Sequence, residues 1–321
     1  MSNYFHEFKF EPASWVPYRD VEVLDMCRKK KREDYLELNN KFPNLNVQII
    51  ADDFVWWVWA IDMFKRIKES DEQDKKLVMI LPNPTPIYAN VAYMINKFNI
   101  NCRNLYTFNM DEWANQDANV APIDYPQGFM YAFNRFFYSQ IKSELRPPKE
   151  QCIGPNNKNI KDYSKMIEDA GEADIVYSAC GWSGHTAFID PVPEFGVNGN
   201  DVIDVDEWIK MGARIAHLHP LTIAQNCLHA SFGKSGDVAF VPPMAATIGP
   251  RDIVNAKRVL EMHFFKTGPT DISWERFISR LVLFGPVTPL VPDSLIQLTN
   301  ADVYICDVIA QAIEIDMQNQ Y

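Results

Sequence analysis

Apolar residues recur along the chain in two alternating rhythms. Continuous apolar runs such as "NVQIIA" (46–51), "KLVMIL" (76–81), "LYTFNM" (105–110), "ADIVYSAC" (173–180), "VLEMHFF" (259–265) and "ADVYICD" (301–307) have the length and composition of buried strands. "ARIAHLH" (213–219) reads as a further strand. Between them lie stretches with apolar residues at helical spacing: "IYANVAYMINKF", "YPQGFMYAFNRFFYSQI", "NIKDYSKMIEDAG" and "WERFISRLVLFG". Another helix is expected from Asp52 and Asp53, acting as caps, to about Glu69, and one from about Arg251 to Arg258. Trp56, Trp57 and Trp59 are too close together to share one face, and core packing is the expected role for most of them. The segment "CRKKKREDYLELNNKF" (27–42) reads as a charged helical segment whose basic run, Arg28 to Arg32, is a solvated face.

Strands alternating with helices predict an α/β fold: a doubly wound, mostly parallel sheet with helices on both faces. The 321 residues suit one large domain or two modest ones, and 47 % hydrophobic content supports a sizeable core. The net charge of -11 argues against nucleic acid and acidic membranes as partners, while leaving room for an anionic small molecule. Six cysteines without CxxC spacing fit reduced thiols, hence a cytoplasmic protein. The start, "MSNYFHEFKF", lacks a signal-peptide layout, and no apolar stretch reaches the length of a membrane span.

In parallel sheets ligands bind at the carboxyl ends of strands. Three polar clusters fall there: "PNPTP" (82–86), "NMDEW" (109–113) and "GWSGH" (181–185). Asp111 or Glu112, one of the two at most, would face the crevice and move a proton, or else the pair caps a turn. His185 sits behind a turn made by Gly181 and Gly184, with Asp190 placed to orient it; the plain alternative is a histidine bonded inside a turn. His217, His219 and His229 lack supporting carboxylate or cysteine spacing, so neither metal nor cofactor is expected. Trp113, Phe136 and Phe137 are open to a core or an interface role, and a homo-oligomer is admitted.

The order of "ILPNPTP", "FNMDEW", "YPQGFMYAFNRFF", "SACGWSGHTAFIDP" and "MAATIGPRDIVNA" resembles the glucosamine-6-phosphate deaminase (isomerase) family, in the wider group that includes 6-phosphogluconolactonase. The resemblance covers roughly residues 45 to 310. It implies one domain over 46–321, preceded by a helical extension over 1–45 that could cover the site. It implies a sugar or sugar-phosphate substrate, with Asp111 moving a proton between C1 and C2, His185 opening the ring, and Asp190 supporting His185. Asn83, Thr85, Glu112, Gly181, Ser183, Gly184 and Arg251 would line the substrate. Departures concentrate on phosphate recognition. Ser183 stands where the family has an aspartate, which removes a charge beside His185. The "PNPTP" loop is short and lacks glycines, and Pro84 donates no N–H. Leu228 stands near the family's arginine, and Lys266 is displaced from its lysine. The expectation is a sugar isomerase or deaminase with altered phosphate recognition. The alternatives are a sugar lactonase, which "GHTA" also resembles, and a non-catalytic sugar-binding paralogue.

Overall fold

The alternation of apolar runs and helical stretches is realised as a seven-stranded, wholly parallel sheet. The computed structural model describes residues 10–266 and 271–315. In chain order the elements are α1 (Val21–Arg28), α2 (Arg32–Lys41), β1 (Leu45–Ile50), α3 (Val55–Glu72), β2 (Leu77–Leu81), α4 (Ile87–Phe98), β3 (Leu105–Asn109), β4 (Asp111–Ala114), α5 (Phe129–Phe136), β5 (Cys152–Ile153), α6 (Tyr163–Asp169) and β6 (Ile175–Ala179). They continue with β7 (Val197–Asn198), β8 (Asp201–Val202), α7 (Val205–Trp208), β9 (Arg214–His217), α8 (Pro220–Asn226), β10 (Met244–Thr247), α9 (Pro250–Val254), β11 (Val259–His263), α10 (Glu275–Phe284), β12 (Ala301–Cys306) and α11 (Asp307–Ala310).

The main sheet has the order β1-β12-β11-β6-β2-β3-β5. Strand β2 is buried at every position, which requires cover on both faces. From β2 the chain moves outward through β3 to β5; from β6 it moves the other way to β11 and β12. The order therefore reverses between β2 and β6. In a doubly wound sheet that switch point opens a crevice at the carboxyl ends of the strands. The loops after β2 and β6, "PNPTP" and "CGWSGH", flank it.

Three features depart from the sequence expectation: a helix boundary, a cap, and the tryptophans, of which most were expected in the core. The charged stretch 27–42 is two helices, broken at 29–31, because Lys30 and Lys31 turn to Asp34 instead of continuing α1. Their buried residues Leu24, Cys27, Tyr35 and Leu38 join the same core as the sheet. Asp52 does not cap α3: its carboxylate accepts the Val308 N–H at 3.1 Å and pairs with Lys266 at 2.9 Å, joining the ends of three strands. Of the three tryptophans, Trp59 is buried and Trp56 and Trp57 are exposed.

A second, antiparallel sheet of order β4-β10-β9 was not legible, because "DEWA" and "MAAT" are too short to show a period. The chain passes from one sheet to the other at Met110. Its N–H donates to Leu81 O and its carbonyl accepts from Ile248 N, at 2.9 and 2.8 Å. Against this small sheet Trp113 packs with Phe129, Phe188 and Phe232, at centroid distances of 5.1, 5.0 and 5.4 Å. Trp113 and Phe137 are core residues, and Phe136 is half-buried. Among the described residues no helix is long and apolar enough to cross a membrane.

Candidate active site

Strand β6 ends in a tight turn, closed by Gly181 N–H to His185 O at 2.7 Å and Gly184 N–H to Gly181 O at 2.9 Å. Glycine is required at both ends. Gly184 has φ +85°, and a Cβ on Gly181 would lie 2.0 Å from His185 Nε2. The missing side chain of Gly181 is the space the imidazole occupies.

Around His185 the polar groups form one closed network. Ser183 Oγ donates to Asp190 Oδ1 at 2.6 Å, and Thr222 Oγ1 donates to the same oxygen at 2.8 Å. Each hydroxyl has a single proton and gives it to the carboxylate. Each therefore accepts from His185 Nδ1, which lies 2.8 Å from both. This fixes the tautomer: Nδ1 carries the hydrogen and Nε2 keeps its lone pair, facing Gly181. Asp190 Oδ2 accepts the His219 N–H at 2.9 Å. Burial alone would raise the Asp190 carboxyl; the interaction with His185, with hydrogen bonds from Ser183 and the His219 N–H, outweighs it and holds the group below its ordinary value. The loss of charge expected at Ser183 is thus corrected. Ser183 and Thr222 relay the charge of Asp190, whose own oxygen lies 3.5 Å from Nδ1.

Asp111 stands on the other side of β2, at the junction of the two sheets. Strand spacing puts the ends of β3 and β6 about 10 Å apart across β2. Side chains alternate along β4, so Asp111 shares a face with Trp113 and Glu112 points the opposite way. Glu112 accepts the N–H groups of Trp113, Phe129 and Met130, at 3.0, 3.0 and 2.9 Å. It caps α5 and is corrected from substrate contact to structural anchor. Asp111 is 5 % exposed and its carboxyl makes no hydrogen bond among the described residues. Burial, with Glu112 adding repulsion, pushes its pKa well above the ordinary carboxylate range. Asn109 precedes it with a buried amide that has no partner among the described residues.

The other expected contacts divide. Asn83 and Thr85 lie half-buried in the loop after β2, where Pro82, Pro84 and Pro86 lack N–H groups. The Tyr88 N–H at the start of α4 already donates to Thr85 O at 3.1 Å. Arg251 is corrected: its guanidinium pairs with Glu168 on α6 at 2.6 Å, because α9 leads toward the opening of β11 rather than its end. Beside His185 the structure instead gathers aromatic rings. Trp182 stacks on Trp274 (centroids 6.0 Å, 16° between planes), Phe265 lies 4.8 Å from Trp274, and His229 lies 5.8 Å from Phe265. Burial, with His185 nearby, pushes His229 down to about 4, so it is neutral. The buried Trp274 Nε1 has no partner among the described residues. Single tryptophans distant in sequence gave no pattern that would have united them.

Of the remaining histidines, His217 is exposed beside Glu194 Oε1 at 2.6 Å. His219 caps α8 through Nδ1 and meets the main chain of Trp15, which brings the amino-terminal segment beside the site.

No protein-family model matches the chain. It is 28 % identical over 211 residues to a glucosamine-6-phosphate deaminase of Fusobacterium nucleatum, covering 63 % of this chain and 68 % of that protein. With the enzyme of that name from Lactobacillus helveticus it shares 25 % over 255 residues, 79 % of this chain and 91 % of the relative. Among solved structures, a monomeric glucosamine-6-phosphate deaminase superposes with a TM-score of 0.64 at 20 % identity, over 83 % of this chain and 98 % of that one. A 6-phosphogluconolactonase from Thermotoga maritima gives 0.55 at 14 % identity, over 82 % and 99 %. Beside the ordered motifs, the chain is thus similar in sequence to glucosamine-6-phosphate deaminases, and it shares the fold of a glucosamine-6-phosphate deaminase and of 6-phosphogluconolactonases.

Proposed function

We propose that the protein is a sugar isomerase or deaminase that acts by ring opening and C1–C2 proton transfer, with phosphate recognition altered from that of its relatives. The carrying observation is the pairing of a fixed-tautomer histidine with an unpartnered, raised-pKa carboxyl at one switch point. In this reading His185 Nε2 takes the proton of the anomeric hydroxyl as the C1–O5 bond opens, and returns it to O5. Asp111 then takes the C2 proton, giving an enediol, or an enolamine from an amino sugar, and delivers it to C1. With an amino sugar the product is an imine at C2, which water hydrolyses to a ketose and ammonia. A raised pKa makes Asp111 a stronger base than an ordinary aspartate, suited to a weakly acidic C–H.

The altered specificity rests on what surrounds His185. A phosphate needs cations or a row of free N–H groups. The proline-rich loop is poor in N–H groups, Arg251 is held by Glu168, Lys266 by Asp52, and His229 is neutral. Trp182, Trp274 and Phe265 instead offer apolar faces suited to a sugar ring, with the Trp274 N–H to meet a hydroxyl. The substrate that fits is an unphosphorylated aldose or amino sugar.

The test is incubation in deuterium oxide with phosphorylated and unphosphorylated sugars, followed by NMR. Deuterium at C2 or released ammonium is expected from unphosphorylated members, and Asp111→Asn should reduce it by roughly 10³-fold. Turnover confined to phosphosugars would refute the altered specificity. A second reading, sugar lactonase, is favoured by the Nε2 lone pair alone, since one base activating water suffices for lactone hydrolysis. Lactone hydrolysis that survives Asp111→Asn would select it.

A further inference from the structure

Strand β11 runs through the middle of the sheet, yet it carries Glu261 and His263 at alternate positions, both fully buried. Alternation puts both side chains on one face. Asp293, also buried, meets them there. The outward atoms of the group are satisfied. Glu261 bonds Ser178, and His263 Nδ1 lies 2.6 Å from Ser279 Oγ, which also receives the Tyr35 hydroxyl at 3.1 Å. The inward atoms are not: Glu261 Oε1, His263 Nε2 and Asp293 Oδ2 have no hydrogen-bond partner among the described residues. Ligand atoms of these three residues lie within 4.8 Å of one another, and Nε2 is 3.5 Å from Glu261 Oε1.

Two carboxyl groups and an imidazole nitrogen pointed at one another inside a core are costly unless something positive sits between them. No side-chain cation among the described residues does so. Arg280, buried on the same helix as Ser279, donates its guanidinium to main-chain carbonyls of Lys30, Arg276, Ile309 and Gln311. A proton shared between the two carboxyls would leave Nε2 without a partner. One divalent ion would engage all three atoms and balance two carboxylate charges. With the ion bound, His263 Nδ1–H would donate to Ser279 Oγ, a second contact of the kind that aims a ligating histidine.

We infer that Glu261, His263 and Asp293 bind a divalent transition-metal ion, Zn²⁺ or Mn²⁺ by ligand type. The ion is structural. Asp293 N–H donates to Gly184 O at 2.7 Å, so it braces from below the turn that carries His185. The site is closed to solvent, and metal enters as the chain folds.

The full chain, expressed in medium supplemented with zinc and manganese and then dialysed against chelator, should retain about one equivalent of metal by mass spectrometry. Glu261→Gln with His263→Asn should lower that at least tenfold. Wild-type protein refolded from denaturant with Zn²⁺ or Mn²⁺ should melt several degrees higher than protein refolded in chelator, which keeps the inference testable if the double variant fails to fold. Metal below about a tenth of an equivalent together with identical melting in both refolding conditions would overturn it. Undiminished metal in a folded double variant would overturn it as well.

Discussion

Two buried carboxyl groups stand on either side of β2, and the protein treats them in opposite ways. Asp190, with no exposed surface, receives two hydroxyls and a main-chain N–H, and is held in its charged form. Asp111, almost as buried, receives nothing among the described residues and is pushed toward its neutral form. Environment rather than residue type separates a fixed charge from a proton carrier. The fixed charge sets the tautomer of His185 without moving a proton. Under the proposed function Asp111 is the carrier, and it has little to hold it in either state, which a shuttle between two carbons requires.

The largest expected break comes from Asp190→Asn. The amide can donate an N–H to one hydroxyl, which then turns its own proton toward His185 Nδ1. The imidazole hydrogen moves to Nε2 and the lone pair is lost from the reacting side. Turnover should fall by roughly 10³-fold, comparable to loss of a general base. Nitrogen NMR of labelled histidine should show Nε2 protonated in the variant. An unchanged Nε2 signal with full activity would dissolve the contrast.

The pH dependence sharpens the comparison, because the two groups carry opposite signs. Asp111 acts as a base only when ionised, so activity should rise about tenfold per pH unit up to its raised pKa and level off above it. Its folded-state pKa lies above the unfolded value. The stability it contributes is full below the ordinary aspartate range and is lost as pH rises through the folded pKa. Asp190 is the reverse: its depressed pKa contributes stability above the ordinary range, lost as pH falls through the folded value. Thermal melts from acidic to alkaline pH should therefore show Asp111→Asn gaining on the wild type as pH rises. Asp190→Asn should fall behind at lower pH, between the depressed folded value of Asp190 and the ordinary aspartate range, and keep that deficit above it. A parallel course for both variants would contradict the assignment.

The ends of the main strands were legible because they are long apolar runs stopped by glycine, proline or acidic residues. "FNMDEW" and "GWSGHTAFIDP" could be set at the mouth of a parallel sheet for the same reason. The antiparallel sheet was hidden because four-residue strands carry no measurable period, and that hid why Asp111 is buried: it lies where the chain changes sheets. Thr222 was hidden because nothing local marks a threonine that reaches His185 from 37 residues away. Glu112 was misread because its partners, the N–H groups of Phe129 and Met130, lie beyond a loop. Glu261 and His263 passed as an ordinary apolar strand, since two polar residues among five change its period little.

The finest test concerns the relay. Ser183 and Thr222 make equivalent contacts to His185 Nδ1 and to Asp190 Oδ1, and lie 3.2 Å from each other. Ser183→Ala leaves the threonine bridge in place, and Thr222→Val leaves the serine bridge, so each alone should reduce turnover by about tenfold or less. The double variant removes both bridges. It leaves Asp190 with the 3.5 Å approach to Nδ1 and the His219 N–H, too little to hold one tautomer. Its loss should exceed the product of the single losses, because groups sharing both partners do not act independently. Simple additivity would mean that each hydroxyl works on Asp190 or His185 separately. The charge of Asp190 would then reach the imidazole through space rather than through the two hydroxyls.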